Sequence, residues 1–321
     1  MFRSKLLLYL LFVILATVLL SSCAWFPAVK EPPYQLVKTW GGKGNSAGKF
    51  NEPTGVAVSK AELFVSDSRN ARIQVFDFSG NFLRFIGESG NAAGQLRRPM
   101  NLTVANEELY VADYFNDVIQ VYSLQGQFLR DIGKPGSEAG EFNAPGGVAV
   151  ANNGDLFVAD FYNQRIQQLD SKGSFIRQWG TTGETGIWAS KFNYPTDTAI
   201  ASDGTLYVAD GYSDRVQVIS PNGEFSHKWG GPFAINIFGS FNGWFATVTG
   251  IDVGPQGNVF VADFYNDRVQ KFTPDGKFLN AFGLPTQAPT HTSIAVAISS
   301  DDTVFVADYA NHQIQVWRPG Q

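Results

Sequence analysis

The chain has 321 residues, with 24 basic and 29 acidic side chains and a single cysteine. One cysteine excludes an intramolecular disulfide, and a net charge of −5 argues against nucleic acid as a partner, which would call for a basic stripe. The length exceeds that of a single β-sandwich and directs attention to internal repeats.

The N-terminus opens with Arg3 and Lys5, continues through the apolar run Leu6 to Leu20 and ends in small residues before Cys23, the order of a secretory signal. The run is shorter than the roughly 20 residues a spanning helix needs, so residues 1–22 read as a cleaved signal. Leu20-Ser21-Ser22-Cys23 resembles the lipobox of bacterial lipoproteins. That resemblance implies diacylation of the Cys23 thiol, cleavage before it and acylation of the new amino terminus. Several acyl chains, at about 0.8 kcal/mol per buried methylene, make a stable membrane anchor where one is marginal. Ala24 rather than aspartate follows the cysteine, which by resemblance to the sorting of Gram-negative lipoproteins favours the outer membrane. Residues 23–33 then read as the lipidated cysteine and a proline-containing tether.

From Tyr34 to Gln321 one pattern recurs six times: LFVSDSRNARIQVF at 63–76, LYVADYFNDVIQVY at 109–122, LFVADFYNQRIQQL at 156–169, LYVADGYSDRVQVI at 206–219, VFVADFYNDRVQKF at 259–272 and VFVADYANHQIQVW at 304–317. The spacing of the aspartates is that of four-stranded propeller blades rather than of a helical solenoid. Within a unit, short alternating segments are punctuated by NNGD, SDG, PNG, PQG and PDG turns, whose glycines and asparagines suit tight hairpins. The sixth unit stops short of an outer strand, while the segment YQLVKTWGG at 34–42 matches the outer strands FIRQWGT at 175–181 and FSHKWGG at 225–231. The two ends are therefore expected to pair and close the ring.

These motifs resemble the NHL repeat, with FNEPTGVAV at 50–58 and FNAPGGVAV at 142–150 matching its opening. The resemblance implies an all-β, six-bladed β-propeller of four-stranded antiparallel blades over 34–321. VTGIDV and SIAVAI lack the opening proline, so the fifth and sixth blades are expected to be entered differently.

The repeated aspartates Asp67, Asp113, Asp160, Asp210, Asp263 and Asp308 each end a strand, and four precede an arginine by five residues: Arg72, Arg165, Arg215 and Arg268. They read as architectural, accepting hydrogen bonds from their turns or pairing with a base, as does the glutamine seven residues on. Departures from the repeat carry more information. At inner-strand positions where other units have glycine or alanine stand Asn101, Asp197 and Asp252, which would line the central channel. They are either water-satisfied polar residues or a ligand or ion site, calcium being the ion that an acid and amide set would take. The uncharged connection at 231–250 carries Phe238, Phe241, Trp244 and Phe245, and a second long loop carries Trp188. This aromatic segment either binds a partner or folds down to plug the ring. Tyr162 and Tyr265, in turns after the aspartates, belong to the same face.

Two functions follow. In the first, the propeller is a binding or scaffold module for a protein, peptide or glycan of the cell envelope. In the second, implied by six-bladed relatives, it is a calcium-dependent lactonase or a metal-dependent lyase with its site in the channel. His227, His291 and His312 are the only histidines, and no serine, histidine and aspartate triad can be assembled, so the chain reads as a binding protein rather than an enzyme.

Overall fold

The computed structural model describes residues 31–283 and 293–320. Cys23, the signal segment and His291 lie outside them. Six four-stranded antiparallel sheets are arranged as blades. Their inner strands are Pro53–Val58, Pro99–Ala105, Pro145–Val150, Pro195–Ile200, Val248–Val253 and Ser293–Ile298.

The burial of each strand explains its composition. The second strands, such as Leu156–Asp160 and Leu206–Asp210, are buried along their whole length between neighbouring blades and read as continuous apolar runs. The outer strands Phe82–Ile86 and Phe128–Ile132 are half exposed and alternate. Between the fourth and fifth blades, Phe245 and Trp229 pack on Phe272 with ring centroids 5.6 and 5.7 Å apart.

Tyr34–Gly41 pairs antiparallel with Gln313–Pro319 as the outer strand of the sixth blade, so the ring closes through the chain ends as expected. Buried Tyr34 stacks on Phe282 at 4.4 Å, fixing this strand against the fifth blade as well. The expectation of a different entry into the last two blades is corrected. Val248 and Ser293 face Asp263 and Asp308 across the same register break that Pro53 and Pro145 make opposite Asp67 and Asp160. Proline is one way to occupy this position because the irregularity there needs no ladder N–H.

Each repeated aspartate is the centre of a hydrogen-bonded node. Asp210 is fully buried and accepts the Asn193 N–H at 2.7 Å, the Arg215 Nε at 2.7 Å and the Gln217 amide at 2.9 Å. The same glutamine amide donates to the carbonyl of Lys191 in the entry loop, tying turn, strand and loop together. Where arginine is absent the node is completed otherwise: Gln313 donates to Asp308 at 2.7 Å, and Asp113 accepts the backbone N–H groups of both Arg97 and Arg98.

A second device joins blade to blade. The residue after each turn is left-handed, with φ of 56° at Asp117, 59° at Gln164, 50° at Asp214 and 55° at His312. At these four positions the side chain accepts an N–H from the next blade: Ala144 to Asp117, Tyr194 to Gln164, Thr247 to Asp214 and, across the closure, Glu52 to His312 Nδ1 at 3.0 Å.

Candidate functional site: the aromatic face and the central channel

The turns after the aspartates and the connections between blades lie on one face, called the upper face here. Each inner strand starts at that face and descends along the channel. Its first channel-facing positions are Gly55, Asn101, Gly147, Asp197, Gly250 and Ala295, and Asp252 stands two residues further down.

Asn101 and Asp197 divide the channel. The Asn101 amide donates to the carbonyl of Thr249, from the opposite side of the ring, at 3.4 Å. Asp197 Oδ2 accepts the Ile251 N–H of the next blade at 3.1 Å. Asn101 lines both a lower cavity of about 240 Å³, bounded by all six inner strands, and an upper mouth of about 390 Å³.

Asp197 and Asp252 both line the lower cavity. Burial drives the Asp197 carboxyl well above its ordinary range, and the charge of Asp252 adds to the rise. Burial likewise raises Asp252 to about 6, against the N–H groups of Ile298 and Val253, which favour its ionised form. Those donors engage separate oxygens, Oδ2 at 2.9 Å and Oδ1 at 2.8 Å. Calcium fits this arrangement poorly, because both Asp252 oxygens already face backbone donors. Among the described residues no group of three or more His, Cys, Asp or Glu side chains gathers as a metal site. His227 stacks on Trp229 in an outer strand, and His312 serves the closure of the ring.

The upper mouth is aromatic. Tyr114 lies 6.0 Å from Phe161 and 5.9 Å from Tyr162, and Tyr194 continues the layer to Tyr212 at 5.2 Å. Tyr194 was not singled out by sequence, because it sits in an entry loop rather than in the repeated turn. Tyr162 and Tyr265 are both about half exposed. Burial and a hydrogen bond to Tyr162 raise the Tyr114 phenol.

The segment 231–247 lies at the edge of this face between the fourth and fifth blades and lines neither the mouth nor the lower cavity. Of the two sequence readings, the plug is therefore not what it forms. Phe233 and Phe238 are each 72% exposed, Phe241 68%, and Trp188 on the neighbouring loop 73%. Phe238 and Tyr265 bound a shallow groove that reaches Asp214. Two candidates prove structural. Phe245 is fully buried and is the counterpart of Phe50, Phe142 and Phe192, so its place is the blade core. Trp244 is half-buried over Gly239 and beside Phe241, and its carbonyl accepts from Arg268 and Gln270 of the aspartate node.

Comparison with known proteins agrees with this geometry. Residues 50–76, 142–169, 192–219, 245–272 and 294–317 each match the NHL repeat model. The unmatched unit is the second blade, where Asn101 replaces the inner-strand glycine and Val118 the arginine of the aspartate node. No curated protein sequence matches the chain. Among solved structures, a streptogramin B lyase is similar with a TM-score of 0.61 and 14% identity, over 89% of this chain and 98% of the lyase. Virginiamycin B lyase from Staphylococcus aureus gives 0.59 and 16%, over 88% and 99%. The WD40 propeller domain of Doa1 gives 0.63 and 11%, over 90% and 98%. At these identities the likeness is one of fold, and it does not separate enzymes from binding propellers. What five matched segments and six sheets establish together is that the chain carries NHL repeats folded as a six-bladed β-propeller.

Proposed function

We propose that this chain is a binding platform of the bacterial cell envelope, tethered through lipid on Cys23 and holding a protein or peptide on its upper face. The observation that carries the reading is the group of four aromatic rings on adjacent loops, Trp188, Phe233, Phe238 and Phe241, each about 70% exposed and without a charged residue among them in the 231–247 segment. Such a patch costs solubility unless a partner covers it, and aromatic anchors dominate the energetics of recognition. The described chain enters the propeller at Tyr34, at the lower end of an outer strand, on the face opposite these rings.

Two measurements test this. Palmitate labelling of the natural chain and of Cys23→Ala is expected to mark only the former, and equal absence of label removes the anchor. Crosslinking in intact cells is expected to capture a protein with the natural chain and to lose it when Phe238 and Phe241 are both replaced by alanine. Unchanged capture removes the aromatic platform.

A channel-centred hydrolase or lyase is the second reading, favoured by one observation: the Asp252 carboxyl, raised to about 6, can hold or release a proton near neutrality. Asp252→Asn would abolish such an activity and leave partner capture unchanged.

A further inference from the structure

We infer that the upper mouth is a binding site for a small amphiphilic anion, a flat apolar body carrying one carboxylate or sulfonate. The site is separate from the exposed insert, whose residues do not line it.

The mouth has the size of a small-molecule site, about 390 Å³. Its walls are the rings of Tyr114, Phe115, Phe161 and Tyr162, which favour a planar apolar body. The polar groups left for a ligand are few. The hydroxyls of Thr54 and Thr196 donate to the carbonyls of Pro99 and Val248, at 3.0 and 2.9 Å. Asn101, in the floor, is only 9% exposed, and its amide nitrogen donates to the Thr249 carbonyl at 3.4 Å. The amide nitrogen carries a further N–H that can donate to a ligand acceptor at the floor.

Arg98 supplies the charge. Its side chain is about three-quarters buried and reaches Glu52 through Nη2, at 3.3 Å. Glu52 is also held by Arg69 and Tyr309. Arg97 and Arg98 both lie 5.7 Å from the Phe115 ring. Arg69 and Arg98 thus share one side-chain carboxylate and the Arg97 guanidinium donates to the Phe115 carbonyl, while Asp113 is occupied by the backbone N–H groups of Arg97 and Arg98 and by Asn116 and Gln120. In an acidic chain this edge of the mouth is cationic. A planar guanidinium with free donors suits a carboxylate or sulfonate. A sugar fits less well, because its many hydroxyls would meet rings and only two unsaturated polar groups.

The probes are 2-naphthoate and its neutral analogue 2-naphthamide, titrated calorimetrically into the full chain. Naphthoate is expected to saturate at millimolar concentration or below and to bind about tenfold more tightly than the amide, as one charge-assisted hydrogen bond allows. Arg98→Gln should remove that tenfold difference and leave the amide unchanged, Asn101→Leu should weaken both, and Trp188→Ala should alter neither. Should Arg98→Gln fail to fold, the natural chain must lose naphthoate affinity with added salt while the amide does not. Absence of saturable naphthoate binding, equal affinity for acid and amide, or naphthoate binding indifferent to both Arg98→Gln and salt would each overturn the site, whatever the outcome of partner capture.

Discussion

A Cβ placed on Gly147 would lie 2.0 Å from Oδ1 of Asp197. The two residues occupy equivalent positions on adjacent blades, so the missing side chain of one blade makes room for the carboxylate of the next. Asp197 then spans from Gly147 to the Ile251 N–H. Gly147→Ala is therefore expected to push the carboxylate off that N–H and to cost about 2–3 kcal/mol, the penalty of an unsatisfied buried polar pair plus overpacking. The same substitution in an Asp197→Ala background should cost clearly less, though not nothing, because the added carbon would still meet the Asp197 Cα at 3.0 Å. Urea unfolding of the four chains gives the coupling; additive losses would mean the two do not share this space.

The channel acids make stability depend on pH in an unusual direction. With the folded Asp252 carboxyl at about 6 and its unfolded value near 3.8, the folded state binds more protons in that interval. Its contribution is present in full below about pH 4 and is lost as pH rises through about 6. Asp252→Asn removes the titration, so the variant should gain on the natural chain by about 3 kcal/mol between pH 4 and pH 7. Asp197 adds to the same trend and is itself raised by the charge of Asp252, so the difference between the two chains reports Asp252 together with its coupling to Asp197. Parallel curves from denaturant midpoints would contradict the raised carboxyl.

Ring closure rests on a strand that contributes little sequence but seals two surfaces. Tyr34 and Trp317 are both buried around Phe282, and Tyr34 to Gly41 cover the hydrogen-bonding edge of Gln313–Pro319. A chain beginning at Lys43 loses that ring stack and exposes the edge. It should be destabilised by at least the roughly 3–5 kcal/mol of a large aromatic truncation and should self-associate. Melting and size-exclusion chromatography against a chain beginning at Glu31 check this; equal melting and a monomer in both would show that the sixth blade stands without its outer strand.

The parts of this architecture that sequence displays are those where repetition fixes residue type. Asp210, Arg215 and Gln217 recur in kind because one carboxylate must meet donors at fixed offsets, and YQLVKTWGG is recognisable because outer strands share its aromatic ending. The joints between blades are hidden for the opposite reason. Asp117, Gln164, Asp214 and His312 do one task with different acceptors, and what they share is a left-handed backbone that leaves no single letter behind. Phe245 misled because its repeat opens without the proline of FNEP and FNAP, and the insert that precedes it sets it among exposed rings. The pairing of Asn101 with Thr249 joins residues 148 apart across the channel, and only closure of the ring brings them together.

The insert itself yields the sharpest contrast between binding and folding. Phe238 and Phe241 are about 70% exposed, so replacing either with alanine should change stability by no more than about 0.5 kcal/mol. Trp244 is different. Its ring covers Gly239, where a Cβ would meet it at 2.5 Å, and lies 5.3 Å from Phe241, so it holds the loop in shape. Trp244→Ala should lower the melting temperature and, by loosening the loop, weaken partner capture as well. Phe238→Ala should weaken capture by about 2 kcal/mol, or more than tenfold, at unchanged melting, as expected of an aromatic anchor. Measuring melting and crosslinked capture together on both variants separates the roles. If Phe238→Ala leaves capture intact while Trp244→Ala impairs both, the loop acts through its fold alone, and recognition belongs to the half-exposed rings of Tyr162 and Tyr265 nearer the ring axis.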